Sequence, residues 1–144
     1  HDFAEFVRGF ETARNAGLRI CVHIINGLPG ETPEMMEQTA EILGGMRPDG
    51  VKIHLLHVIK NTTLAGLWES GKYQPMERDD YIGTVVRQLE LLPPETVIER
   101  LTGDGGRDSL LAPLWSLDKR AVLGGIMKRQ KQLDSIQGLR FQEG

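Results

Sequence analysis

The stretch ICVHIINGLPGETPEMM, Ile20–Met36, decides the fold of this chain. It overlaps a run, Leu18–Ile25, that is apolar, β-branched and too short for a helix, which predicts a buried strand. Two glycines and a proline follow within Asn26–Gly30. Thr32–Glu34 then provides a helix N-cap, a proline at the first helical position and an acidic residue at the positive end of the helix dipole. The stretch therefore predicts a buried strand that turns directly into a helix ending near Leu43.

The sequence downstream repeats this alternation of strand and helix. A turn at Pro48–Gly50 leads to a second strand of the same type, Val51–Val58. Two such strands joined by a helix are parallel, with a right-handed crossover. The remaining predicted elements are, in chain order, a short helix Thr63–Ser70, a helix capped by Asp79 or Asp80 and stopped by Pro93 and Pro94, a third strand Thr96–Leu101, a glycine-rich loop Thr102–Pro113, a helix from Ser116 or Asp118 to about Leu133, and a frayed tail Gln137–Gly144. The pattern predicts an α/β fold with a parallel sheet.

Composition sets limits on location and partners. The 144 residues are 40% apolar and carry a formal net charge of −3, so nothing in the overall charge indicates a nucleic-acid or membrane partner. No apolar run reaches the roughly 20 residues that a membrane helix needs, and no signal peptide opens the chain, so we expect a cytoplasmic protein. Because the chain starts without methionine inside a helical pattern that ends at Gly17, we expect a fragment of a longer protein.

Metal sites receive little support from the sequence. Cys21 is the only cysteine, which excludes an internal disulfide and a cysteine-only metal or iron–sulfur site built from this chain alone. His54 and His57 lie three residues apart in a predicted strand, hence on opposite faces, and cannot bind one ion there without a bulge. We therefore predict no metal site within the chain.

Both predicted strands have one wholly apolar face and one mixed face. The mixed faces carry His23 on the first strand and Lys52 and His54 on the second. Because helices cover the apolar faces, the mixed faces look away from them, which in a barrel is the lumen. Burying two imidazoles and an ammonium group is costly without solvent, ligand or counter-charge, so these residues are candidates for a substrate or lumen site. Hydrogen bonds within the sheet are the alternative explanation.

The turn after the first strand lies where ligands bind in parallel α/β proteins, at the carboxyl end of the strand. Gly27 and Gly30 permit unusual backbone conformations and a close approach of ligand, and Glu31 places a carboxylate at the rim. The turn lacks the lysine and the serine or threonine of a P-loop, and it lacks the G-x-G-x-x-G dinucleotide pattern. A glycine-bearing turn that only reverses the chain is the alternative.

Three stretches resemble one protein family. IINGLPGET resembles the glycine-containing motif after the fifth strand of radical S-adenosylmethionine (SAM) enzymes, although His23 stands where the family has a glycine and Glu31 comes one residue later than usual. VKIHLLHVIKNTTLAGLWESGKYQPM, Val51–Met76, resembles the sixth strand and following segment of the elongator-like branch. ERLTGDGGRDSLLAPLWSLDK, Glu99–Lys119, resembles the C-terminal region of YtqA/YhcC-like radical SAM proteins in particular. These stretches are spread along the chain from Ile24 to Lys119.

The resemblance implies a partial (β/α) barrel that cleaves SAM reductively to a hydrogen-abstracting 5′-deoxyadenosyl radical. It implies a [4Fe–4S] cluster held by a cysteine motif in an N-terminal half that is missing here and is the expected partner. Residues 1–76 would be the last βα units of the barrel and residues 77–144 the C-terminal region. Without the missing strands, the sheet should have an unpaired edge, which predicts poor solubility or self-association.

The resemblance also assigns site residues by position, while no catalytic residue is assigned. The adenosyl site would take residues from two turns: Ile25, Gly27, Leu28, Pro29, Gly30 and Glu31 from the first, and Leu55, Leu56, His57 and Val58 from the second. Asp104, Arg107 and Trp115 would cover the mouth of the barrel, with loop-fixing ion pairs and core packing as the alternative.

Three functions follow as hypotheses. The first is the cofactor- and substrate-binding half of a radical SAM enzyme, with RNA as a possible substrate and modification of a tRNA wobble uridine as the preferred reaction. A second is a cluster-free barrel that uses His23, Lys52, His54 and Glu31 in acid–base or phosphate chemistry. The third is a non-catalytic binding module that folds alone as a monomer.

Overall fold

The computed structural model describes residues 2–103 and 106–142. Its elements are, in chain order, α1 (Phe3–Asn15), β1 (Cys21–Asn26), α2 (Pro33–Gly45), β2 (Gly50–Leu55), β3 (Val58–Ile59), α3 (Thr63–Glu69), α4 (Arg78–Leu91), β4 (Val97–Arg100), β5 (Leu110–Ala112), a 3₁₀ turn (Leu114–Leu117) and α5 (Lys119–Leu133). Among the helices so described, none has both the length and the hydropathy needed to cross a membrane.

The main sheet has three strands in the order β1-β2-β4, and both pairs are parallel. This arrangement confirms the predicted α/β class and the predicted βαβ unit. β1 lies at the edge of the sheet and, within the described residues, pairs only with β2. β4 comes from the C-terminal part of the chain and pairs with β2 from the first part. The domain division after residue 76 stays a prediction.

The hydrophobic core lies on one side of this sheet. Val22 and Ile24 of β1 and Val51 and Ile53 of β2 are buried against apolar side chains of α2, α4 and α5. The intervening residues of both strands are exposed or half-buried, as the predicted alternation requires. The sheet is therefore covered by helices on one face and open on the other.

The second predicted strand, Val51–Val58, is too long. β2 ends at Leu55, and the chain turns where the amide N of Leu56 donates to the carbonyl O of Asn26 at 2.8 Å. β3 then pairs antiparallel with β5. β5 lies inside the segment that we predicted to be a glycine-rich loop, Thr102–Pro113. Sequence patterns miss such short strands because two or three residues carry no period.

The predicted cap of α4 and the predicted frayed tail were both wrong. Glu77 is the N-cap residue of α4, without a side-chain cap hydrogen bond, and Asp79 and Asp80 lie in the first turn, where they complement the helix dipole.

The tail predicted to fray from residue 137 docks instead against α4: the amides of Gly138 and Arg140 donate to the carbonyls of Leu89 and Glu90, at 3.0 and 2.9 Å. These carbonyls at the end of α4 need donors that Pro93 and Pro94 lack, and the tail supplies them.

Candidate functional site

The turn after β1 is built around a glycine that no other residue replaces without strain. Gly27 has φ +88°, and the tyrosine hydroxyl of Tyr73 donates to its carbonyl O at 2.6 Å. A Cβ on Gly27 would lie 3.1 Å from the side chain of Met76. The space beside Gly27 is therefore occupied by protein, and close approach of a ligand at this glycine stays a prediction.

The side chain of Glu31 binds backbone amides of the same turn. Its carboxylate accepts hydrogen bonds from the backbone amides of Gly27 at 3.0 Å and Leu28 at 3.2 Å. Gly30 has φ +77°, which glycine adopts without cost and other residues do not. We predicted this carboxylate at the rim of the site; the structure shows it folded back on the turn, where it satisfies two amides at the carboxyl end of β1.

A buried pair of amide side chains anchors this turn to the helices. Asn26 and Gln88 are 1% and 0% exposed and exchange two hydrogen bonds, each of 2.8 Å. Gln88 also donates to the carbonyl O of Met36 in α2 at 3.0 Å. The pair thus joins β1, α2 and α4 directly beneath Gly27. Sequence reasoning missed it; the available signal was an amide in the apolar stripe of α4 and another on the apolar face of β1.

The open face of the sheet carries the predicted lumen residues around one cavity of about 360 Å3. His23, Lys52 and His54 all line it, as expected, and the rings of His23 and His54 lie 6.0 Å apart. The other lining residues are Ile25, Leu55, Leu56, His57, Ile59 and Arg100. The cavity therefore brings the mixed faces of both strands together with the turn after β2.

Arg100 reaches this face because β4 has a bulge. The register passes from Val51 opposite Ile98 to Lys52 opposite Arg100, which leaves Glu99 as the extra residue. The carboxylate of Glu99 occupies the space over Gly50, on the same face. The position of Arg100 could not be predicted from the sequence, since a bulge shifts the alternation and leaves no mark in the pattern.

Two imidazoles of the cavity have lowered pKa values. Burial lowers the pKa of His54 below its usual range, and the charges of His23, Arg100 and Lys52 lower it further. The pKa of His57 is also lowered, mainly by burial. Both imidazoles are therefore neutral at neutral pH.

Cys21 stands at the edge of the same face. Partial burial and a hydrogen bond from its thiol to the Glu99 carboxylate raise the pKa of Cys21 to about 11. The thiol is thus protonated at neutral pH and is a poor nucleophile.

These shifts predict how stability depends on pH. Folded His54 and His57 have pKa values below the roughly 6.5 of an unfolded histidine, so the unfolded state takes up protons first as the pH falls. The stability that the two histidines contribute to the free energy of unfolding is complete above about pH 6.5. It is lost as the pH falls toward their folded pKa values. We expect the H54N/H57N double variant to lose less free energy of unfolding between about pH 7 and pH 5 than the wild type. Urea unfolding at several pH values measures this, and equal slopes would contradict it.

His54 and His57 line one cavity, whereas we predicted them on opposite faces of a strand. We placed the two on opposite faces of one strand, but the strand ends at Leu55 and both residues line the same cavity. The ring of His57 packs against Gly103, where a Cβ would lie 2.5 Å from its Cε1 atom. Its Nε2 atom is buried and has no hydrogen-bond partner among residues 2–103 and 106–142.

The three residues predicted over the mouth of the barrel have different outcomes. Asp104 lies outside the described residues. Arg107 is exposed in the loop before β5. Trp115 is partly buried: its indole N donates to the carbonyl O of Met76 at 2.9 Å, and its ring lies 5.6 Å from that of Tyr81. The packing explanation therefore describes the position of Trp115.

With this geometry in place, comparison with known proteins identifies the family. A profile of the radical SAM C-terminal domain matches residues 48–132, more than half of the chain. This chain belongs to the radical SAM family. The uncharacterized protein YtqA of Bacillus subtilis (strain 168) is 44% identical over 142 residues, which are 99% of this chain and 44% of YtqA.

Other relatives lie in the expected branch of the radical SAM family. Protein YhcC of Escherichia coli (strain K12) is 40% identical over 115 residues, 80% of this chain and 37% of YhcC. Elongator complex protein 3 of Homo sapiens is 33% identical over 107 residues, 72% of this chain and 20% of that protein. The chain thus spans less than half the length of these curated relatives. The resemblance to an elongator-like, YtqA/YhcC-like radical SAM protein is confirmed.

A solved structure shows the same fold. The archaeal Methanocaldococcus infernus Elp3 with N-terminal deletion (1-46) superposes with a TM-score of 0.81 over 95% of this chain and 32% of that chain, at 18% sequence identity. This likeness confirms the predicted fold class.

The two cofactors that the radical SAM family implies fit this chain differently. A [4Fe–4S] cluster needs several thiolates, and Cys21 is the only cysteine in the sequence, so the chain does not hold a cluster by itself. Within the described ranges, no group of three or more His, Cys, Asp or Glu side chains is arranged to hold a metal ion. Ile25, by contrast, lines the cavity and is 42% exposed, and Leu28 in the turn that follows β1 is 45% exposed. This apolar surface fits an adenosyl group.

Proposed function

We propose that this chain is the adenosyl- and substrate-binding half of a radical SAM enzyme. Membership in the radical SAM family supports an enzyme parent, and the open face of the sheet, with its cavity at the carboxyl ends of β1 and β2, carries the proposal. SAM, when bound, supplies the radical that removes a hydrogen atom from the substrate. The cluster needed for its reductive cleavage would be held by a preceding part of the longer protein.

The residues of the chain take separate parts in this proposal. The exposed side chains of Ile25 and Leu28 cover the adenosyl group, and the turn closed by Glu31 holds them at the strand end. Backbone groups from Leu55 to Val58 border the adenine. His54 and Lys52, which also line the cavity, face the substrate. Because His54 is neutral at neutral pH, it acts there as a hydrogen-bonding group without a charge.

For the whole protein we propose RNA as the substrate, with modification of a tRNA wobble uridine as the reaction, in the cytoplasm. The similarity to Elongator complex protein 3 supports this choice of substrate. The net charge of −3 on this chain does not by itself indicate an RNA-binding surface, so an extended basic surface would belong to the other half of the protein.

The test uses the longer parent protein, reconstituted with iron and sulfide without oxygen and then reduced with dithionite in the presence of SAM. We expect release of 5′-deoxyadenosine. In the G27V variant we expect release to fall, because the new side chain meets Met76, strains a φ of +88° and displaces the turn. The matched control is G17V, which carries the same backbone strain at φ +77° but has nothing within 4 Å of the added Cβ.

The outcomes separate the hypotheses. Release that falls in G27V and persists in G17V supports the proposal and assigns the turn after β1 to the cofactor. Equal losses in the two variants would assign the effect to backbone strain. A parent that takes up no cluster and releases no deoxyadenosine would contradict radical chemistry and favour a cluster-free enzyme based on the cavity histidines.

A further inference from the structure

Three basic side chains form a row across the open face of the main sheet. In the strand register His23 lies opposite Lys52, and Lys52 lies opposite Arg100. All three line the cavity of about 360 Å3. Neighbouring strands are about 4.8 Å apart, so the row spans roughly 10 Å from β1 to β4. We call these three residues the basic row.

The basic row depends on the bulge in β4. In a regular ladder Glu99 would follow Ile98 and lie opposite Lys52, which would pair an acid with a base. The bulge inserts one residue and places Arg100 there instead. Like charges directly opposite each other repel, so the bulge sets two cations side by side at the position where a regular ladder would pair an acid with a base. Irregularities of this kind concentrate next to binding sites, where they redirect side chains.

An acidic side chain of the protein lies near the basic row but is displaced from it. Glu99 sits over Gly50, which lies two residues before Lys52 on β2, and accepts the hydrogen bond of the Cys21 thiol. His54 extends the basic row on the opposite side, toward the carboxyl ends. The lining of the cavity thus carries cations and imidazoles, whereas Glu99 is not among its lining residues.

We propose that the basic row binds a phosphate group of the substrate. Lysine and arginine on adjacent strands provide charge-assisted hydrogen bonds to several oxygens of one anion, and the imidazoles of His23 and His54 add further donors. Apolar lining from Ile25 and Leu55 contacts the rest of the molecule. A phosphate-bearing substrate such as a nucleotide matches this combination of charge and apolar surface. The assignment to substrate rests on the proposed function; binding of the anion itself does not.

The first experiment measures the anion directly on this chain. Imidazole resonances of the chain labelled in its histidines are followed by NMR while inorganic phosphate is added at constant ionic strength, with chloride as the control ion. We expect a saturable shift of the His23 and His54 signals with phosphate and none with chloride. The variants K52M and R100M should each weaken binding by roughly tenfold, since each removes one charged donor.

Two exposed cations of α5 give matched controls. K131M and R120M remove the same charges from the opposite part of the molecule and should leave the phosphate affinity unchanged. Far-UV circular dichroism and thermal unfolding establish that each variant is folded. A linear response in the wild type, equal to that with chloride, would overturn the proposal. Equal weakening by the control variants would overturn it too, because the effect would then come from net charge.

A second experiment identifies the source of the anion. In the longer parent protein, phosphate is titrated in the presence of saturating SAM. Simultaneous binding supports a substrate phosphate, whereas competition would show that the basic row takes the carboxylate of SAM and would overturn the substrate assignment. This result is independent of deoxyadenosine release. Phosphate binding without release would defeat the proposed radical function alone, and release without phosphate binding would defeat this inference alone.

Discussion

Replacement of Gln88 by leucine is expected to lower the free energy of unfolding by about 3 kcal/mol. The side chain of Gln88 is fully buried and makes three hydrogen bonds, two with Asn26 and one to the carbonyl O of Met36. Leucine fills a similar volume but leaves both polar atoms of the Asn26 amide without their Gln88 partners and removes the second donor to the Met36 carbonyl, which stays bonded within α2. Each unsatisfied buried group costs about 1 to 3 kcal/mol, and this cost exceeds what an added apolar contact returns.

Urea unfolding of Q88L, N26L and the double variant measures this effect. The double variant should lose less stability than the sum of the single variants, because removing both amides leaves fewer unsatisfied groups. Gln38, exposed on α2, gives the control: Q38L should change the free energy of unfolding by less than about 0.5 kcal/mol. Additive losses, or a Q88L variant as stable as Q38L, would contradict the described amide pair.

The Gln88 variant also bears on function. Asn26 is the last residue of β1 and directly precedes Gly27, so the amide pair fixes the turn to α2 and α4. In the longer parent protein, Q88L should therefore weaken SAM binding as well as stability. Q38L should change neither property.

Two adjacent glycines at the end of α2 are expected to respond to alanine with opposite signs. A Cβ on Gly44 would lie 2.5 Å from the carbonyl O of Leu91, where α2 meets the end of α4. Backbone atoms cannot move aside as the end of a flexible side chain can. G44A should therefore push the helices apart and lower the free energy of unfolding by about 2 kcal/mol. A Cβ on Gly45 has nothing within 4 Å, and alanine there should stabilise the helix by about 0.5 kcal/mol.

Thermal or urea unfolding of the two variants compares them directly, and each is the control for the other. Their helix propensities change equally, so the difference in the free energy of unfolding isolates the close approach of α2 to Leu91. Equal changes in G44A and G45A would mean that the two helices do not meet at this glycine. The contact is relevant to the site because α2 and α4 contribute Met36 and Gln88 to the support of the turn after β1.

Much of the candidate site was predictable from the sequence because it depends on local pattern. The alternation in β1 and β2 placed His23, Lys52 and His54 on the open face, and the cavity brings them together. The positive φ of Gly27 and Gly30 follows from the sharp change from strand to helix. These features are set by neighbours in the chain, which a sequence displays directly.

Other features depend on residues far apart in the sequence and escaped prediction. Arg100 reaches Lys52 only through a bulge in β4, and Gln88 meets Asn26 only when α4 packs on the sheet. Val58 leaves the second strand because β5, more than fifty residues later, offers it a partner. Local patterns do not name the partners in these contacts: an amide in an apolar stripe indicates only that it needs a partner.

The sequence by itself determined the radical SAM family, the parallel α/β order and the face on which the polar residues lie. These follow from hydrophobic period, turn residues and motif, all of which are local properties. Only the tertiary structure decided which charges lie opposite each other and which buried amides are paired. Register and pairing are determined by the packing of distant segments. The bulge at Glu99 shifts the register by one residue and thereby places a base, Arg100, opposite Lys52 where an acid would otherwise lie.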